Sequence, residues 1–309
     1  MATTSPAMTS SRRRGLTLAQ RDSLWGYLFI APQVIGFLLF VLSPLVSILI
    51  FSTQSRNLLS GDIQFIGLEN FRFMLQDDPV FFQMLGNTLT FTAGLVPLNL
   101  VLALMLAILM APQFRGVSLF RAIFFAPVIT STVAWVIVWT FILQGKNGLL
   151  NQALGLFGVQ GPNWLFEPAS AMASVVVVRV LKNVGLNMVI FLAALQDLPR
   201  DYIEAARVDG ANRWQTIRHI ILPFLAPSIL LVTIITIIGS LNVFDHILLM
   251  TGGGPSNSTM VLAYYVYFNA FKSYEVGYGS SIAVLLFLIA LVLTVLQWSV
   301  RRRYIDYER

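Results

Sequence analysis

An all-α polytopic membrane protein with six transmembrane helices is predicted by three observations: composition, the length of the apolar runs, and the distribution of basic residues. The chain is 57% hydrophobic and 11% charged, with a mean hydropathy of +0.76. A soluble domain carries about 25% charged residues. Crossing a hydrocarbon core takes ~20 residues of helix, and six windows are long enough: 25–52, 88–111, 120–143, 170–195, 224–250 and 279–300. Backbone groups in lipid must be satisfied within the segment, so these runs are helices. The short alternating strands of a membrane barrel are not seen in the sequence.

Orientation follows from charge. With both termini in the cytoplasm, the inner segments hold fourteen of the 20 basic residues and the outer segments hold four, Arg56, Arg72, Lys146 and Lys272. The remaining two, Arg179 and Lys182, fall inside a span. This is the positive-inside pattern. It also accounts for the net charge of +6. The inner arginines are scattered over separate loops, which argues against a nucleic-acid footprint.

The elements follow in order. Residues 1–23, rich in Ser, Thr and Arg, are expected to be an unstructured cytoplasmic tail. The first span, 25–52, is much longer than the apolar core of a cleavable signal, and no Ala-x-Ala site follows it. The outer segment 53–87 reads as an apolar turn and a short helix against the outer mouth. The outer loop 144–169 carries five glycines, Pro162 and the interfacial aromatic Trp164. The fourth span holds Arg179, Lys182, Asn183 and Asn187 within about 140° of helical arc, a single polar face reaching mid-bilayer. The fifth holds Asn242, Asp245 and His246 on one face toward its outer end. Ionisable groups within a span cost ~2.5–3.5 kcal/mol at its centre and are functional candidates by default. These seven residues are candidates for a solute path, with Asp245 offsetting one of the cations. The competing reading is a polar contact between helices. Residues 251–278 open on Thr251-Gly252-Gly253-Gly254-Pro255, expected to be a flexible outward turn. The sixth span precedes a short cytoplasmic tail, 301–309.

Between the fourth and fifth spans, residues 196–223 are polar and Arg-bearing, and they read as a folded unit. An Ala-rich helical turn is broken at Gly210, which tolerates positive φ, and a second helical piece follows. The expected result is a helix–turn–helix knob presented to the cytoplasm as a docking surface. Three outer loops with ordered-looking composition suggest a second docking surface on the opposite side.

The spacing Glu204-Ala205-Ala206, three residues, Gly210, nine residues, Ile220, one residue, Leu222-Pro223 resembles the EAA loop of ATP-binding-cassette (ABC) importer membrane subunits at every position. The neighbouring Leu195-Gln196-Asp197-Leu198-Pro199 and Asp209-Gly210-Ala211 resemble the carbohydrate branch, related to the membrane subunits of the maltose transporter. So do Phe65-Ile66-Gly67-Leu68-Glu69-Asn70-Phe71, Lys182-Asn183-x-Gly185, Phe244-Asp245 and Ser258-Thr259. The resemblance covers residues 24–300, and it implies a type I ABC importer permease fold in which 196–223 is the coupling loop. It further implies that Ala205–Gly210 inserts into a cleft of an ATPase subunit, with Glu204 making polar contacts there. Glu204, Ala205, Ala206, Asp209, Gly210, Ile220, Leu222 and Pro223 are then the coupling residues.

The implied partners are a second, homologous permease chain, two ABC ATPase subunits, and a soluble solute-binding protein outside the bacterial inner membrane. ATP and Mg belong to the ATPases, because no Walker A pattern occurs in this chain. Enzymatic readings fare poorly. There is no cysteine, and His219 and His246 are the two histidines, without a metalloprotease or nucleophile-elbow pattern around them. The expected function is half of the transmembrane pathway for a carbohydrate, driven by alternating access. Glycerol-3-phosphate or another polyol or phosphodiester is the alternative cargo, and an ion-coupled secondary transporter is a more distant reading.

Overall fold

The computed structural model describes residues 18–57, 59–112 and 114–305, and it divides into two compact units, one ending at Ile50 and the other starting at Phe51. In the first unit, α1 (Leu18–Phe37), a π-helical turn Leu38–Leu42 and most of α2 (Ser43–Ser52) run on without a break. The helix starts at Leu18, so the last residues of the tail expected to be unstructured are helical. Residues 1–17 and 306–309, the rest of the two predicted tails, lie outside the described residues.

The second unit opens with a short antiparallel hairpin of β1 (Gln54–Arg56) and β2 (Ile63–Phe65), in which Gln54 faces Phe65. Helix α3 (Glu69–Gln76) and the long α4 (Phe81–Met110) follow. Next come α5 (Val117–Ile129), α6 (Thr132–Ile142), α7 (Leu149–Gly155) and α8 (Pro168–Gln196). Pro168 lies in the first turn of α8, where its missing N–H has no intrahelical partner to lose. Helices α9 (Arg200–Val208), α10 (Arg213–Thr216) and α11 (Leu222–Phe224) build the knob. Helices α12 (Ala226–Leu241), α13 (Asp245–Met250), α14 (Leu262–Tyr267) and α15 (Val276–Ile305) complete the chain.

Among the described residues, four helices are long and apolar enough to cross a membrane alone, and the count rises to as many as six if the bent pairs Val117–Ile129 with Thr132–Ile142 and Arg213–Phe224 with Ala226–Leu241 each make one span. The predicted third span, 120–143, is one such pair. Thr130 and Ser131 take extended backbone angles between α5 and α6, and the axis turns by 103°. The predicted fifth span, 224–250, is also interrupted: α12 stops at Asn242, whose side chain donates to the Ile238 carbonyl (2.9 Å). The chain resumes as helix at Asp245. Hydropathy sees both segments as unbroken because a break of two or three residues is averaged out by the apolar runs on either side.

The centre of the second unit is the pair α4 and α8. The small side chains of Ala103 and Ala107 lie in one apolar cluster with Met188 and Phe191, large against small, the packing that lets two helices interdigitate. Gly185 brings α8 against α5: a Cβ there would collide with the Phe124 carbonyl oxygen.

At the ends of the helices away from the knob, the connections are held by polar hubs. The Asn70 amide donates to the carbonyls of Ser52 and Gln54, both at 2.9 Å. Buried Asp78 accepts from the backbone N–H of Val80 and Phe81 at the start of α4, and from the hydroxyls of Tyr265 and Tyr278. The Asn151 amide donates to Gly145 and Pro162 carbonyls (3.0 Å each) while its oxygen accepts from Trp164 Nε1 (2.7 Å). The segment after Met250 differs from the flexible turn expected of it. Fully buried Thr259 bonds the Thr251 hydroxyl (2.7 Å) and donates to the Gly254 carbonyl (2.8 Å). Asn87 of α4 donates to the carbonyls of Asn257 and Met260. The glycines at 252 and 253 supply positive φ, and the side chains on either side of them bond the turn shut.

Candidate functional site

The knob is built as the sequence predicts, and each half of its turn has a physical cause. Helix α9 ends in a Schellman motif: Gly210 N–H donates to the Arg207 carbonyl (3.1 Å) and Ala211 N–H to the Ala206 carbonyl (2.9 Å). Gly210 has φ +76°, the left-handed conformation that this motif requires and that glycine adopts without strain. Two residues later the second piece begins with a capping box. Asn212 Oδ1 accepts from Gln215 N–H (2.9 Å), and Gln215 Oε1 accepts from Asn212 N–H (2.8 Å). A π turn, Ile217–Ile221, then leads into α11 and Pro223.

The faces of the knob are distinct. Ala206 is buried, whereas Glu204, Ala205, Asp209 and Gly210 are exposed. Ile220 and Leu222 are half-buried, and Pro223 is exposed. The knob also carries large apolar side chains in solvent: Tyr202, Val208 at 87% exposure and Trp214 at 66%. Apolar groups left uncovered on a polar helix mark a contact surface. Sequence reading passed over Val208 and Trp214, although an apolar residue on the outer face of a charged helix was the available signal.

Within the spans, the residues expected to form one polar face point to three different neighbours. Lys182, 4% exposed, donates from Nζ to the carbonyls of Pro127 (2.5 Å) and Thr130 (2.6 Å) and to Thr130 Oγ1 (3.1 Å). Both carbonyls lie at the 103° break, where the Pro127 carbonyl also accepts from the Thr130 N–H (3.3 Å) and hydroxyl (2.7 Å). Lys182 therefore closes the end of α5, and its ammonium also lies 5.9 Å from the Trp135 ring. Asn187 turns the other way. Its amide donates to Asn99 Oδ1 of α4 and to Thr236 Oγ1 of α12 (3.1 Å), a buried three-helix node. Asn99 and Thr236 were not read as site residues because single polar groups do not stand out within apolar windows.

Arg179 and Asn183 are half-buried on α8, one turn apart. Asp245 is exposed at the start of α13, and its carboxylate acts electrostatically on Arg179. Arg179 Nε is buried without a hydrogen-bond partner, as are both ring nitrogens of fully buried His246. Asn242 is exposed, with its amide used by Ile238. Arg179 and Asn183 are half-buried and Asn242 and Asp245 exposed, while Lys182 and Asn187 are tied to neighbouring helices.

A family model described as "binding-protein-dependent transport system inner membrane component" matches residues 99–306. The chain is 34% identical over 293 residues to a probable ABC transporter permease protein, YesP, of Bacillus subtilis, covering 94% of each chain. It is 34% identical to the arabinooligosaccharides transport system permease protein AraP of the same organism, covering 87% of this chain and 86% of that one. The lactose transport system permease protein LacF of Rhizobium radiobacter is also 34% identical, with 90% of this chain and 94% of that one covered. Among solved structures, a chain of a bacterial ABC transporter that imports the acidic polysaccharide alginate has the same fold. Its TM-score is 0.81 at 24% identity, over 92% of this chain and 96% of that chain.

Proposed function

The chain belongs to the binding-protein-dependent transport system inner membrane components, and from that premise we propose a specific division of labour among its residues. It is a multi-pass permease of the sugar ABC importer type, a transporter rather than an enzyme. In the proposed reading it forms half of a pathway completed by a second homologous permease, with both termini in the cytoplasm. Two ATPase subunits hold ATP and Mg, and a solute-binding protein delivers cargo to the outer loops.

The observation that carries the coupling role is the knob itself. Glu204 and Ala205 stand exposed on α9 next to a Gly210 turn fixed by two capping motifs, so the surface is held in shape before any partner arrives. ATP binding closes the ATPase pair, moves both knobs and opens the cavity outward; hydrolysis resets it. Such a cycle requires ATP and the loaded binding protein to favour one state over the other. The cargo names of the relatives, arabino-oligosaccharides and lactose, support a neutral saccharide as cargo. Asn183 and Asn242 suit its hydroxyls. The unpartnered Arg179 Nε is the one observation favouring an anionic polyol instead.

The test is purification of the tagged chain from its native membrane, identification of the proteins that accompany it, and uptake assays on the reconstituted complex. An ATPase with Walker motifs and a second six-span permease are expected, with uptake of a neutral saccharide that depends on ATP and the binding protein. Recovery of the chain without any ATPase after crosslinking would sink the reading. Uptake of phosphorylated polyols only would overturn the cargo.

A further inference from the structure

At the end of α4 and α8 that carries the knob, a groove of 470 Å³ opens, within the range of small-molecule sites, roughly 300–1,000 Å³. Its walls are of two kinds. Ile108 and Leu195 come from the last turns of membrane-spanning helices. Arg207 and Arg213 stand on opposite sides of the Gly210 turn, and both line the groove. No carboxylate lines it. Both arginines are exposed, and within the described residues neither guanidinium has a hydrogen bond or an ion pair.

We propose that this groove binds an anionic phospholipid of the cytoplasmic leaflet. Arg207 and Arg213 hold its phosphate, and the first methylenes of its acyl chains lie along Ile108 and Leu195. The chemistry is complementary at both ends. Guanidinium forks match phosphate oxygens bidentately, and the apolar wall belongs to helices of 30 and 29 residues, long enough to cross the hydrocarbon core and reach the headgroup region. Basic pockets between membrane helices on the cytoplasmic side bind anionic headgroups. A protein approaching from the aqueous side would instead meet Val208 and Trp214, which are exposed and lie outside the groove lining.

The spacing of the two arginines is set by the Schellman and capping-box hydrogen bonds of the turn. A lipid seated across them ties the knob to the ends of α4 and α8. Lipid composition then acts on how rigidly the knob is presented. The inference rests on the proposed cytoplasmic placement of the knob and does not depend on which cargo the chain serves.

Native mass spectrometry of the full-length chain, titrated with phosphatidylglycerol or phosphatidylcholine, tests it. The wild type is expected to retain phosphatidylglycerol in preference to phosphatidylcholine. R213Q and, independently, R207Q are each expected to weaken that retention about fivefold, the equivalent of ~1 kcal/mol. A111W, which fills the groove and leaves every charge in place, is expected to weaken it as well. R218Q removes an exposed arginine outside the lining and is expected to change retention less than twofold. Equal loss in R218Q and R213Q would overturn the site in favour of diffuse charge attraction. Full retention by A111W would overturn it in favour of a lipid bound elsewhere. Crosslinking from the groove to an ATPase subunit, with phosphatidylglycerol retention unchanged in the variants, would give the groove to a protein partner.

Discussion

Lys182 and Arg179 are both cations within one span, and the structure separates what each is free to do. The Lys182 ammonium is taken up by two backbone carbonyls and a hydroxyl at the α5–α6 break. Lys182→Met should lower the unfolding free energy of the purified chain by ~2–3 kcal/mol, the scale of a hydrogen bond to a charged group. Apparent KM for cargo in the assembled importer should stay near wild type. Thermal denaturation alongside uptake kinetics measures both, and a changed KM with an unchanged midpoint would return Lys182 to the solute path. Gly210 is the second residue where one position decides. An alanine at φ +76° costs ~1–2 kcal/mol of left-handed strain. Gly210→Ala should therefore leave the chain inserted but lower ATP-driven uptake more than ATP hydrolysis. Equal losses in the two activities would argue against a coupling role for the turn.

At the scale of elements, the spans are set by their interruptions as much as by their apolar runs. Helices α5 and α8 approach so closely that Gly185 admits no side chain opposite the Phe124 carbonyl. Gly185→Ala should force the two helices apart and cost ~1–3 kcal/mol, the range for overpacking, seen as a lower yield and midpoint of the purified chain. At the start of α4, Asp78 ties that helix to α14 and α15 through Tyr265 and Tyr278. Asp78→Ala leaves two buried hydroxyls and two N–H groups without their acceptor. It should destabilise the chain by ~1–3 kcal/mol or more and raise amide hydrogen exchange at 262–278 specifically. Exchange that rises evenly over the whole chain would contradict a local tie. Neither contact was legible from the sequence, since Asp78 and its tyrosines are nearly 190 residues or more apart.

For the molecule as a whole, orientation and assembly are the properties to measure. The chain has no cysteine, so single-cysteine variants report accessibility against a silent background. Val208→Cys should react with a membrane-impermeant maleimide only from the cytoplasmic side, and Leu156→Cys only from the outer side. Reaction of both from one side would invert or collapse the six-span topology. The same Val208→Cys variant should lose labelling when the ATPase subunits are added to the reconstituted chain, if the exposed apolar face of the knob is where they seat.

What the sequence determined by itself is whatever local periodicity and spacing encode. Apolar run length fixed the spanning segments, because lipid leaves helix as the solution for a long unbroken run. The Glu204-to-Pro223 spacing determined the knob and its glycine turn, because backbone capping is a matter of neighbours in the chain. Only the tertiary structure decided what the buried polar residues do. Lys182, Asn183 and Asn187 share one arc on α8, yet Lys182 answers a break in α5 and Asn187 answers Asn99 and Thr236. Asn183 stays half-buried, without such a partner among the described residues. Which neighbour a polar group meets depends on how helices distant in sequence cross, and helical spacing within one span holds no information about that crossing.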